Sequence, residues 1–126
     1  MLKNDLVLQN RWVIAANDYR IGDVVTLTCP VDPNRKITKR IIALEGDIVQ
    51  TRSPYPEPTI RVPRGHCWIE GDEGFHSRDS NFYGPVPLGL LKERIEWVLY
   101  PFQRFGRVER QTRDSRVRYA PGHGSN

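Results

Sequence analysis

Three Gly-Asp pairs, Gly22-Asp23, Gly46-Asp47 and Gly71-Asp72, cut the sequence into short stretches, and each adjoins a run of β-type residues. Val24 to Thr28 follows the first, Ile37 to Leu44 precedes the second and Ile48 to Thr51 follows it, and His66 to Glu70 precedes the third. Glycine supplies backbone angles that other residues resist, and aspartate bonds to its own turn, so each pair reads as a tight reversal between strands. Ten Gly and ten Pro among 126 residues fit short elements joined by many turns. The fold class this predicts is mainly β: one domain, a β-barrel or meander rather than βαβ units, with one short helical turn. Ile60 to Val62 leads through Pro63-Arg64-Gly65 into the strand HCWIE, and Thr51 to Thr59, with three prolines, is a loop. Leu88 to Arg94 is read as the helical turn, and Ile95 to Tyr100 as a last strand stopped by Pro101.

The formal charge of +4 is unevenly spread. From Arg104 to Asn126 six arginines face Glu109 and Asp114, which leaves residues 1–103 with 13 basic and 13 acidic groups. That divides the chain into a neutral body, 1–103, and a basic tail, 104–126, whose few large apolar residues predict disorder. A neutral body argues against nucleic acid as a partner, because phosphate binding needs basic groups clustered on the folded surface. No run reaches the ~18 consecutive apolar residues of a membrane span. Cys29 and Cys67 form no CxxC pair, and with His66, His76 and His123 they make no metal set, so neither metal nor cofactor is expected.

Lys39 is the residue that does not belong. It heads the apolar part of "KRIIALEGD", and alternation along a strand puts Ile37, Lys39, Ile41 and Ala43 on one face and Thr38, Arg40, Ile42 and Leu44 on the other. An ammonium among isoleucines is disfavoured relative to the neutral amine, which lowers its pKa toward values suited to a general base. A second segment, "EGDEGFHSRDSNFYGPVP" (70–87), gathers Asp72, His76, Ser77, Asp79, Ser80 and Asn81 within ten positions. His76 and Ser77 are adjacent and point apart on an extended chain, so a Ser-His-Asp triad is a poor fit, whereas a neutral lysine acting on a serine hydroxyl fits Lys39.

The segments "KRIIALEGD", "VPRGHCWIEGD" and "HSRDSNFYGPV", in this order, resemble the type I signal peptidase family. "DSNFYGPVPLGLL" is similar to its mitochondrial inner-membrane protease branch, above all the subunit 2 type, over about Leu6 to Phe105. The resemblance implies a β-rich catalytic core and a Ser-Lys endopeptidase that removes presequences or sorting signals from precursor proteins. It implies Lys39 as the base, Ser77 as a serine that orients the amine, and Gly71, Asp72, Asp79 and Ser80 as the loop bracing the site. Thr38, beside the base, is assigned to a substrate pocket. Where the bacterial pattern carries an arginine two residues after the aspartate, this chain has Asn81.

The family's nucleophile stands in a Ser-Met-x-Pro motif upstream of the lysine, just after a membrane anchor. Here the single Met is Met1, and Ser53, Ser77, Ser80, Ser115 and Ser125 all follow Lys39. No nucleophile is therefore assigned, and the chain reads as an N-terminally truncated enzyme, inactive alone. The implied location is the intermembrane-space side of the mitochondrial inner membrane, through an anchor absent here, with a second protease subunit as partner. Two other readings are a non-catalytic paralogue that pairs with an active subunit, and a small β-barrel module for nucleic acid.

Overall fold

The structure, a computed structural model, describes residues 6–10, 19–71, 78–100, 106–107 and 115–120. Among them ten strands form two antiparallel sheets. The strands are β1 (Leu6–Asn10), β2 (Val24–Cys29), β3 (Asp32–Leu44), β4 (Ile48–Gln50), β5 (Thr59–Arg61), β6 (His66–Glu70), β7 (Val86–Pro87), β8 (Leu91–Tyr100), β9 (Gly106–Arg107) and β10 (Val117–Arg118). The larger sheet runs β1-β8-β2-β3-β6-β7 with β9 beside β8, and the smaller runs β10-β4-β5. A four-residue helix, α1 (Ser80–Tyr83), and a single 3-10 turn (Leu88–Leu90) lie between β6 and β8. No helix among the described residues is long and apolar enough to cross a membrane.

Two apolar clusters hold the sheets. The first joins Val25, Leu27, Ile41, Cys67, Ile69, Val86 and Leu91; the second joins Ala43, Val49, Val62, Trp68 and Val117. β3 passes from one to the other by a device that simple alternation does not foresee. Its register with β6 runs Ile41↔Ile69 and then Ala43↔Trp68, so Ile42 is an extra residue. A bulge of one residue reverses the faces beyond it. Ala43 therefore leaves the face of Ile41 and packs with Trp68, while Leu44 returns to the first cluster. The expectation that Ile41 and Ala43 share a face is corrected by this bulge.

β6 has the predicted bounds, and β2 is one residue longer than expected. β3 begins at Asp32 rather than Ile37. The helical turn expected over Leu88 to Arg94 shrinks to Leu88–Leu90, because Leu91, Glu93 and Ile95 are buried alternately with exposed or half-buried neighbours, the period of a strand. In place of the helical turn, α1 forms at Ser80–Tyr83, started by Asp79 as N-cap and ended by Gly84 at φ 84°.

The expected disorder of 104–126 also needs correction for its described residues. Gly106–Arg107 pairs with β8, and Val117–Arg118 pairs with β4. Val117 completes the second cluster, the Ala120 N–H donates to Asp47 Oδ1 at 2.6 Å, and the Arg116 guanidinium donates to the Gln50 carbonyl at 3.0 Å. A low apolar content concealed a short segment whose polar groups find buried partners.

Candidate active site around Lys39

Lys39 lies in the middle of β3, in register with Val25 of β2. It is only 3% exposed. No bulge separates it from Ile37 or Ile41, so it shares the face of the first apolar cluster, as alternation predicts. Burial there is the main reason its pKa lies below the ordinary lysine value of 10.5. The negative charges of Asp79 and, to a lesser degree, Cys29 oppose that shift, and Arg35 adds to it. The site thus sets a low-polarity wall, which lowers the pKa of the amine, against a carboxylate that raises it.

Asp79 is held by local geometry. Its side chain accepts the Asn81 N–H at 2.9 Å, which fixes the carboxylate at the start of α1. Ser80 is fully buried, and its Oγ accepts the Ile69 N–H at 2.9 Å, pinning α1 to β6. Asn81 closes the other side: its Oδ1 accepts the Arg52 N–H at 2.7 Å and its Nδ2 donates to Glu70 Oε2 at 2.8 Å. Glu70, 5% exposed, also accepts the Trp68 Nε1–H at 2.9 Å, and its second oxygen pairs with Arg116. A neutral asparagine two residues after the aspartate is thus integrated through a buried glutamate.

Gly71 directly follows β6, whose last residue, Glu70, pairs with Arg40, the neighbour of Lys39. Of the residues expected at the site, Asp79 lies close enough for its charge to act on Lys39, Ser80 follows it as the first residue of α1, and Gly71 follows β6. Ser77 and Asp72 lie outside the described residues. Thr38 is exposed and in register with Thr26, whose hydroxyl donates to Glu93 on the sheet face away from Lys39. Thr38 therefore does not line the Lys39 side, because adjacent residues of a regular strand point apart.

Tyr83 is a site residue that sequence reasoning missed. Its ring packs on the first cluster, its hydroxyl donates to the Arg78 carbonyl at 3.1 Å, and its pKa is raised by burial and by the charges of Cys29 and Asp79. The run Asp79-Ser80-Asn81-Phe82-Tyr83-Gly84, a capping residue followed by a glycine stop, is the signal that could have located its helix. Beyond α1 an open cleft of about 450 Å³ is lined by Arg52, Pro54, Arg78, Asp79, Asn81 and Phe82, with the Arg78 guanidinium 4.1 Å above the Phe82 ring. Cys29 and Cys67 are both free and buried.

A buried amine whose pKa is lowered by burial, within the field of a fixed carboxylate, has the chemistry to accept a proton from a hydroxyl or from water. A family model described as signal peptidase, peptidase S26, matches residues 1–55, a stretch that includes Lys39. The mitochondrial inner membrane protease subunit 2 of Schizosaccharomyces pombe is 44% identical over 111 residues, 88% of this chain and 60% of that protein. Its namesake in Mus musculus is 47% identical over 106 residues, 84% of this chain and 60% of that protein. The chain belongs to the peptidase S26 family. It spans about 60% of the length of these relatives. A signal peptidase I of Enterococcus faecalis V583 shares the fold, with a TM-score of 0.50 and 20% identity over 64% of this chain and 96% of the other. Peptidase S26 membership and the mainly β fold agree with the expectations from the motifs.

Proposed function

We propose that this chain carries the general-base half of a Ser-Lys endopeptidase that removes presequences or sorting signals from proteins delivered to the mitochondrial intermembrane space. The observation that carries the proposal is the amine of Lys39, buried on the apolar face of β3 and held toward neutrality beside the capped carboxylate of Asp79. The relatives are inner membrane protease subunits by name, which supports a location at that membrane and a second subunit as partner.

In the reaction, neutral Lys39 takes the proton of a serine hydroxyl, the serine oxygen adds to the scissile carbonyl, and the amine that leaves receives the proton. Lys39 then activates water to release the acyl group. The family pattern places the nucleophile upstream of the lysine, and every serine here follows Lys39, so on this reading the serine is supplied by residues outside these 126. On this reading the chain alone does not cleave. Ser77 orients the amine, while Asp79 and Ser80 fix the loop through the hydrogen bonds described above.

The test is cleavage of a precursor by a form extended to include an upstream serine. Lys39→Met in that form abolishes cleavage and leaves the fold intact. Retained cleavage removes Lys39 from the mechanism.

A further inference from the structure

We infer that Arg116, acting through Glu70 and Asn81, is a positioning residue for the Asp79 carboxylate beside Lys39. The inference rests on the reading of Lys39 as a base, but its physical basis is a continuous path of polar contacts. The Arg116 guanidinium engages Glu70 Oε1; Glu70 Oε2 accepts from Asn81 Nδ2 at 2.8 Å; the backbone N–H of the same Asn81 donates to Asp79 Oδ1 at 2.9 Å. Both intermediates are constrained. Glu70 and Asn81 are each 5% exposed, and the remaining Asn81 acceptor is taken by the Arg52 N–H at 2.7 Å.

The source of the charge at the far end is what gives this path a consequence. Arg116 directly precedes β10, in the segment that also contributes Val117 to the second cluster and the Ala120 N–H to Asp47. Arg40 stands opposite Glu70 across the β3–β6 ladder, with its guanidinium donating to the Gly22 carbonyl at 2.6 Å, and Arg52 stands 3.9 Å from Glu70 with its side chain 64% exposed, so Arg116 is closer and better buried than Arg52. A carboxylate with little access to water needs that charge to remain a firm acceptor. Docking of the C-terminal segment therefore fixes the Glu70 carboxylate that holds Asn81, and Asn81 in turn fixes the aspartate whose charge acts on the base. The other charged groups acting on Lys39, Cys29 and Arg35, lie on β2 and β3 and are independent of this path.

The test is a ¹³Cε titration of Lys39 in the full 126-residue chain, with the resonance assigned by its loss in Lys39→Met. Arg116→Gln frees Asn81 and lets Asp79 move from the amine, while the apolar wall from β2 and β3 stays. The Lys39 midpoint then falls by roughly 1 pH unit, the low end of what a nearby opposite charge contributes. Glu70→Gln keeps the oxygen that Trp68 and Asn81 use but removes the charge, and in that background Arg116→Gln produces no further fall. Arg116→Lys, which keeps the charge, restores part of the midpoint. A midpoint that is unchanged or raised in Arg116→Gln, or an equal further fall in the double variant, overturns the inference even if thermal stability drops. The titration needs no cleavage, so the peptidase reading can fail in its own assay while this coupling stands, and the reverse also holds.

Discussion

Lys39 stands directly across the β2–β3 ladder from Val25, a residue with no exposed surface. A cation opposite a fully buried valine is disfavoured in the folded state relative to the unfolded chain. Because the folded pKa is below 10.5, the unfolded state binds more protons in the window between the folded value and 10.5. Stability therefore rises with pH through that window, and the full penalty is present below it. Lys39→Met removes this dependence. The variant is expected to be more thermostable than the parent near neutral pH, with the gap narrowing as pH rises toward 10.5, by about 1.4 kcal/mol per unit of pKa depression. Melting curves of both proteins across that range check it; a gap independent of pH would show that the lysine is not held toward neutrality.

Ser80 offers a separate test of the brace. Its hydroxyl is the acceptor for the buried Ile69 N–H. Ser80→Ala leaves that donor without a partner in a site closed to water, which costs about 1–3 kcal/mol. Chemical denaturation is expected to show that loss, and amide exchange at Ile69 to accelerate more than at Val25, which lies in the strand ladder away from α1. Equal acceleration at both amides would mean that Ser80 contributes only to global stability.

The parts of the fold legible in the sequence are those governed by neighbouring residues. Turn chemistry at Gly22-Asp23 and Gly46-Asp47, and period-two burial around Lys39, follow from local rules, and the structure has both turns and the lysine on the apolar face. The bulge at Ile42 was not legible, because it is set by how β3 meets β6, and nothing in Ile41-Ile42-Ala43 announces it. Glu70 was hidden for a similar reason. A glutamate next to Gly71-Asp72 reads as part of a polar turn, and its role appears only when Trp68, Asn81 and Arg116 converge on it from separate elements. Arg116 itself reads in the sequence as one more charge of a basic tail. Its value depends on a partner 46 residues away, which composition does not register.

The Gly46-Asp47 turn ties the C-terminal segment to the body and can be probed at the glycine. Gly46 has φ 88°, and a Cβ added there would come 3.2 Å from the Ala120 Cβ. Gly46→Ala meets both a backbone cost of about 1–2 kcal/mol and a close contact that only movement of the segment relieves. Loss of stability together with faster proteolysis near Ala120 is expected. A loss of stability with unchanged proteolysis would mean that the turn adapts without releasing the segment.

Cys67 gives the last prediction. It has no exposed surface, it faces Val86 across the β6–β7 pair, and burial pushes its thiol pKa up to about 12. Thiolate, rather than thiol, is the form that reacts, so both the lack of access and the raised pKa oppose modification. At pH 8 the native chain is expected to leave Cys67 unlabelled by iodoacetamide for as long as the fold persists, with full labelling on addition of denaturant. Because the residue belongs to the same apolar cluster as Ile41 and Ile69, its labelling rate then reports opening of the wall behind Lys39. Rapid native labelling would show that this wall opens often, and a wall that opens to water could not hold the amine below its ordinary pKa.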